Sequence, residues 1–544
     1  MTDRVAPKGW FDAIVFDLGR QVRWSFLPPL MVYFAYGFTG LTMIVGTFFV
    51  KDYLDLSAAY LAGLAFWAGL PWALKMPLGH LVDIIWKWKW LLVWIGAGLL
   101  AASVFIMYLV ISEREMMAAV MPISSWYVLS YLLAPCGVVL QDAVADAMSV
   151  EAVPKVDEAG NPISEDDEKA MHVTMQTLGR FALISGTVVV AALNIYMFRG
   201  IEALSADAKA DIYANIYLAA LGIPAISVSG VVLAGVQKAL KKRRLERQGL
   251  AGEEVEAAFA RPDEETKPNM WYFIGGGAFV ALTLVIGLGQ VPYGQEIIFV
   301  GSLAIVIFLM RQLLAVLPAA QARTLVGTAV IIFAFRATPR PGDGQTWFNI
   351  DVLAFDQQFL SVLSLITSVL TLVGMVVLRP LMAHRSIVYI VVLLTLAAGV
   401  LTLPNIGLYY GIQNITAPLT GGIVDARFIA ILDTAVESPL GQVAMIPMLA
   451  WIAKNAPSDL KATFFAVMAS FTNLALSAGN LGTKYLNQIY TVRREVTDPA
   501  TGAVTTQQDY SELGWLLITV AVVTVVVPLV VVAMIQRSRL KSVD

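Results

Sequence analysis

Two residue types that build metal centres and staples are nearly missing from this chain of 544 residues: it has one cysteine, Cys136, and three histidines, His80, His172 and His384, far apart in sequence. A lone thiol excludes disulfides within the chain and any multi-cysteine metal centre, and histidines so scattered offer no ligand spacing, so no metal and no cofactor is expected. Charge is scarce as well. Asp, Glu, Lys and Arg make up 14% of the residues, against about 25% in ordinary soluble proteins. The net charge of −3 is too small to indicate a nucleic-acid or other polyanionic partner. The first 25 residues mix Asp with Arg and carry no cleavable signal pattern, so the first apolar run is expected to direct insertion itself.

What the chain has in abundance is apolar runs: 58% of its residues are hydrophobic, and runs of the roughly 20 residues that cross a bilayer recur almost throughout. Fourteen spans are expected, at 26–50, 58–80, 90–111, 123–148, 172–198, 212–236, 270–288, 297–317, 323–338, 355–378, 387–403, 428–454, 462–486 and 513–535. Arg4, Lys8, Arg20 and Arg23 precede the first span; Lys87, Lys89, the cluster from Lys238 to Arg247, Arg379 and Arg385 occupy alternate loops; Arg537, Arg539 and Lys541 follow the last. All of these fall on one side, with fewer cations opposite (Lys51, Arg114, Arg199, Arg340, Arg493 and Arg494), so an inner-membrane protein with both termini cytoplasmic is expected. The layout divides into a six-helix half (1–237), a charged cytoplasmic linker (238–268), two extra transmembrane helices (269–318) and a second six-helix half (319–544). Lys238 to Arg247 reads as a solvated amphipathic connector or as a lipid-binding segment, and 491–512 has the composition of a small hairpin outside the membrane. Carriers built from repeats place the substrate near the bilayer midplane between halves. A monomer is the default for such a bundle.

Polar residues inside these spans are costly and therefore informative. Lys75 lies near the end of the second span, between Pro71 and Pro77. Asp142 and Asp146 are four apart on the fourth span and share one helix face. Two carboxylates that close repel each other, which favours holding a proton between them, as a proton-coupled carrier needs; the alternative is that both cap or pair with a neighbour at the wet end of the span. Arg180, with Gln176 one turn earlier, needs an anion, either Asp142 or Asp146 in a structural ion pair or a group on a substrate. Asp433 and Glu437 repeat the spacing of four on the twelfth span, ahead of Pro439 and Pro447, where a proton-coupling, gating, pairing or substrate role is open. Arg336 and Asn473 complete the polar set, while Gly37 and Gly40 read as close-packing positions.

Several of these stretches carry a resemblance. Gly79-His-Leu-Val-Asp83 followed by Lys87 and Lys89 resembles the loop between helices 2 and 3 of the major facilitator superfamily, which latches neighbouring helices on the cytoplasmic side. Leu70-Pro-Trp-Ala-Leu-Lys75, Asp142-Ala-Val-Ala-Asp-Ala147 with Glu151, Gly179-Arg180, Phe335-Arg-Ala-Thr-Pro339, Leu440-Gly-Gln-Val-Ala444 and Ala462-Thr-Phe-Phe-Ala466 with Asn473 resemble, in order, motifs of the folate–biopterin transporter family within that superfamily. The chain departs from the family at Lys75-Met76-Pro77, at the tryptophan-rich Trp86-Lys-Trp-Lys-Trp90, and in its two extra central spans. The resemblance implies an all-helical secondary transporter, usually proton-coupled, for folates, pterins or a similar small organic solute. Carried over by position, it points to Lys75, Asp142, Asp146 and Arg180. In the mechanism expected, Asp142 and Asp146 take the coupling proton, Lys75 and Arg180 meet an anionic group, and Trp72 offers a flat face to a ring. A delivery factor for pigment–protein complexes, built on the same fold, and a carrier of an unrelated solute are the alternatives. An enzyme acting on lipid or prenyl substrates is not expected, because it would want a metal-ligating pair of Asp-rich motifs or a His–carboxylate set, and Asp142–Asp146 alone is too thin.

Overall fold

The computed structural model describes residues 23–54, 56–73, 75–153, 163–247, 270–289, 291–315, 317–378, 381, 385–441, 443, 461–497 and 504–541. Apolar sequence in lipid must satisfy its backbone internally, and the chain does so with helices. The N-terminal group comprises α1 (Leu27–Phe38), α2 (Met43–Tyr53), α3 (Ala58–Ala73), α4 (Lys75–Ile84), α5 (Trp90–Ser112), α6 (Arg114–Val120), α7 (Ile123–Glu151), α8 (Glu165–Met197), α9 (Ala206–Ala220) and α10 (Gly222–Arg247). A central pair follows, α11 (Met270–Leu288) and α12 (Gly294–Leu314). The C-terminal group comprises α13 (Ala319–Arg336), α14 (Asp343–Asp351), α15 (Gln357–Val377), α16 (Ile387–Leu401), α17 (Leu403–Tyr409), α18 (Gln413–Leu419), α19 (Ala426–Glu437), α20 (Lys461–Ile489) and α21 (Leu513–Gln536). Between α20 and α21 two short strands, β1 (Val496–Thr497) and β2 (Val504–Thr506), pair antiparallel, in the segment whose composition suggested a hairpin.

Among the described residues ten helices are long and apolar enough to cross a membrane. Helices also lie at the other expected spans, but α3 with α4, α13, α19 and α20 do not meet that measure there. Much of the expected span 428–454 lies outside the described residues. The expected first span is one path bent by a 3-10 turn at Thr39–Thr42. The basic cluster from Lys238 to Arg247, expected to open the linker, lies on the last turns of α10, and the rest of the expected linker up to 268 lies outside the described residues. Residues 343–351, which carried no expectation of structure, form α14, a short helix whose Trp347 and Phe348 are buried.

Two seams join the N- and C-terminal groups. One is α3 and α4 against α20; the other is α8 against α15. Along them Asn473 Nδ2 donates to the Trp72 carbonyl at 3.3 Å and Thr187 Oγ1 meets Ser368 Oγ at 2.9 Å. At the end of the bundle away from Lys87 and Lys89 the contacts become polar and dense. Lys51 Nζ pairs with Asp351 at 2.8 Å, Tyr510 donates to the other Asp351 oxygen at 2.6 Å, Gln357 donates to Tyr213 at 2.8 Å, and Arg494 donates to the Leu54 carbonyl. The central pair covers the α3–α20 seam there. Gln295 donates to the Gly63 carbonyl at 3.1 Å, while Glu296 accepts from Lys484 at 2.9 Å and from Tyr485 at 2.6 Å.

Candidate functional site

The site is built where α1, α4, α7 and α8 meet. Pro71 lies inside α3 and cannot donate a backbone hydrogen bond. Lys75 lies on α4, and its ammonium turns toward α7. On α7, Asp142 and Asp146 sit one turn apart on the face turned to it. Lys75 Nζ lies 2.7 Å from Asp142 Oδ2 and 2.8 Å from Asp146 Oδ2, so one cation bridges two carboxylates. The remaining oxygen of Asp146, Oδ1, accepts a 2.7 Å hydrogen bond from the Tyr33 hydroxyl of α1. The exposure differs between the two acids: the Asp142 side chain is 10% exposed and that of Asp146 38%. Asp142 is therefore the more enclosed acid and Asp146 the more exposed one.

Arg180 on α8 lies within electrostatic reach of both carboxylates and of Tyr36, yet among the described residues it makes no hydrogen bond or salt bridge. The sequence offered Arg180 as the cation for Asp142 or Asp146; the one in contact is Lys75, which was expected to meet an anionic group on a substrate. Arg336, at the end of α13, and Arg340 complete a cationic region that spans both groups, with Arg336 in reach of Arg180. The Trp72 ring stacks on Tyr36, centroids 5.6 Å apart, and the carbonyl of Trp72 takes the Asn473 amide. A small crevice of about 10 Å³ lies in this region, lined by Tyr33, Tyr36, Thr39, Gln141, Asp142 and Ser227 among others. Gln176 lies on α8 one turn before Arg180, with its side chain outside the described residues.

The other candidates lie elsewhere. Asp433 on α19 accepts from Asn405 at 2.9 Å, and Asn405 accepts from Gln345 at 2.8 Å, a chain of neutral amides ending on one acid. Glu437 is exposed. Lys89 is buried over the Trp86 ring, 3.4 Å from its centroid, and pairs with Glu151 at the end of α7 at 2.6 Å. That contact ties the turn between α4 and α5 to α7. Lys87 is exposed, Gly79 has open space where a Cβ would point, and the Asp83 side chain is outside the described residues.

Sequence reasoning missed Tyr33 and Tyr36, because a tyrosine in an apolar run reads as packing. The available signal was the small-residue spacing around them. A Cβ on Gly37 would collide with the Leu183 carbonyl and one on Gly186 with the Phe34 carbonyl, so α1 and α8 touch backbone to backbone, and the tyrosines of α1 are pressed toward α7 and α8.

With this geometry in view, the similarity of the chain to known proteins is specific. The model of the BT1 family matches residues 171–544. A folate-biopterin transporter from Synechocystis sp. is 21% identical over 480 residues, covering 86% of this chain and 76% of the relative. Solved structures share the fold. A POT family transporter in complex with 5-aminolevulinic acid superposes with a TM-score of 0.57 at 13% identity, covering 95% of this chain and 96% of the other. The tetrameric transporter PepTSo2 gives 0.55 at 13%, covering 94% and 98%, and the nucleoside transporter NupG gives 0.51 at 14%, covering 94% and 98%. The chain belongs to the BT1 family, the folate–biopterin transporters, and is a multi-pass membrane transporter rather than an enzyme, with a fold like that of the solved transporters above.

Proposed function

We propose that this chain is a proton-coupled secondary transporter of a folate- or pterin-like organic anion. Its arrangement is taken as fourteen spans, six in 1–237 and six in 319–544, with 238–268 as linker and the pair in 269–318 lying over the seam. It is taken to work as a monomer in the inner membrane with both termini in the cytoplasm, as the distribution of Lys and Arg favours. Folate is the substrate class favoured by the 21% identical relative's name.

The observation that carries the reading is the Lys75 bridge between Asp142 and Asp146, with Arg180 in reach and making no hydrogen bond among the described residues. Burying ions costs several kcal/mol each unless they are matched, so such a site is held near electrical balance. Lys75 and Arg180 balance the two carboxylates. An anionic group arriving at Arg180 adds one negative charge, and a proton taken by the carboxylate pair removes it. Asp146, the more exposed acid, is the entry point for that proton. Binding of the anion and binding of the proton then favour each other, which is the thermodynamic content of symport. Trp72, stacked on Tyr36 beside the site, supplies a flat aromatic surface for a ring. The linked contacts at Lys51–Asp351, Arg494–Leu54 and Glu296–Lys484 join the helices at the end away from Lys87 and Lys89, which is taken as the closed end of this state. Asp433 and Glu437 are assigned to the movement of that closed end rather than to the proton.

The test is uptake of labelled folate and biopterin by proteoliposomes under an imposed pH gradient. The unmodified chain is expected to accumulate one of them, and Asp142→Asn and Asp146→Asn to lose the response to the gradient. A response in both variants equal to that of the unmodified chain removes the coupling assignment. Thermal unfolding with each ligand checks the substrate class: a ligand at 100 times its Kd stabilises the native state by about 2.7 kcal/mol. Silence for every pterin discards that class and leaves the carrier.

A further inference from the structure

Tyr33 touches both parts of the site that the proposed coupling must link. Its ring is buried in an apolar cluster with Phe26, Val32, Ala145, Met175 and Leu178, so the side chain has little freedom except at its hydroxyl. That hydroxyl donates to Asp146 Oδ1 at 2.7 Å while Lys75 holds Oδ2 at 2.8 Å. The edge of the same ring lies on Gly179, the residue before Arg180: a Cβ there would stand 2.9 Å from Tyr33 Cε2 and 3.0 Å from Cδ2. Because α1 and α8 meet backbone to backbone at Gly37–Leu183 and Gly186–Phe34, no side chain lies between them to absorb a movement of the ring.

A carboxylate only accepts hydrogen bonds, whereas a carboxylic acid also donates one. With Lys75 on Oδ2, a proton on Asp146 falls to Oδ1, the oxygen that the Tyr33 hydroxyl now donates to. The hydroxyl must then rotate to accept, or the ring must withdraw. We propose that Tyr33 is a positioning residue that converts protonation of Asp146 into the placement of Arg180, by turning its hydroxyl at one edge of the ring and pressing on the Gly179 backbone at the other. The charged and titratable groups that face Asp146 among the described side chains are Lys75 of α4, Asp142 of its own helix, Arg180 of α8 and Tyr33 of α1. Of these, Tyr33 is the one that also bears on the backbone of the Arg180 helix.

This inference rests on the proton-coupled reading, and two variants separate it from that reading. Tyr33→Phe keeps the ring against Gly179 and removes the hydroxyl. Gly179→Ala keeps the hydroxyl and pushes the ring away from its seat. For each, the KM for substrate is measured in proteoliposomes at an acidic and an alkaline pH. In the unmodified chain KM is expected to rise with pH. In both variants the ratio of the two values is expected to shrink about tenfold, the scale of one hydrogen bond to a charged group. A role in packing alone would lower the maximal rate alike at every pH and leave that ratio unchanged. An unchanged ratio in both variants, with a steep ratio in the unmodified chain, overturns the role of Tyr33 and spares the coupling by Asp142 and Asp146. A flat ratio in the unmodified chain overturns both.

Discussion

The two acidic pairs of this transporter have the same spacing and opposite surroundings. Asp142 and Asp146 on α7 are gripped by one lysine, Lys75, with Tyr33 on a further oxygen and Arg180 in reach. Asp433 and Glu437 on α19 have an amide from Asn405 on the first, and the second is exposed. The N-terminal group thus gathers a lysine, two acids and an arginine in one place, while the C-terminal group brings Arg336 within reach of Arg180 and lays the neutral groups of Asn473 and Ser368 along the seams. A spacing of four places two acids on one helix face, but it is the neighbouring helix that decides whether one cation bridges them or an amide reaches only one of them. In a carrier this asymmetry has a use, because one half can hold the titrating chemistry while the other moves around it.

The comparison can be broken hardest at Lys75. Lys75→Ala leaves two carboxylates without their shared cation, and breaking such a buried pair costs about 3 kcal/mol or more. Thermal unfolding in detergent should fall clearly, and the simultaneous change of Asp142 and Asp146 to Asn should restore most of the loss. Next is Arg180→Gln, which should weaken binding of an anionic substrate by about 10- to 100-fold, the worth of a charge-assisted hydrogen bond, as measured by titration calorimetry. The same change should leave a neutral pterin's affinity nearly unaltered. Lys51→Ala removes the 2.8 Å pair with Asp351 between the groups. About 1 kcal/mol of stability is at stake in such a partly exposed pair, and a cysteine placed at the closed end of a Cys136→Ser chain should become easier to label. The smallest effect belongs to Asp433→Asn, which keeps an oxygen for the Asn405 amide and should alter stability by less than about 1 kcal/mol while leaving the pH response of uptake in place. A pH response lost in Asp433→Asn and kept in Asp142→Asn would invert the comparison.

Much of the helix pattern was legible because apolar run length is a local property: α5, α7, α8 and α21 begin and end within a few residues of 90–111, 123–148, 172–198 and 513–535, except that α8 starts earlier, at Glu165. The breaks were legible only in part. The 3-10 turn at Thr39–Thr42, inside the expected span 26–50, has no proline to mark it. The residue types of the site were legible as well, because Lys75, Asp142, Asp146 and Arg180 are costly in an apolar span and stand out for that reason. Their pairing was not. Lys75 and Asp142 are 67 residues apart, and nothing in the one-dimensional pattern prefers Lys75 over Arg180 as the cation for Asp142. Tyr33 carries no such warning, since an aromatic in a membrane helix is ordinary. Only the helix contact at Gly37 and Gly186, a property of two spans together, brings its hydroxyl to Asp146.

The central claim is that an anion at Arg180 and a proton at the Asp142–Asp146 pair arrive together. It is tested most directly by adding substrate to the purified transporter in weakly buffered detergent solution and following pH. The account requires net proton uptake that saturates with the substrate and disappears in Asp142→Asn. Substrate binding with no proton taken up, or with the same uptake in that variant, would contradict it.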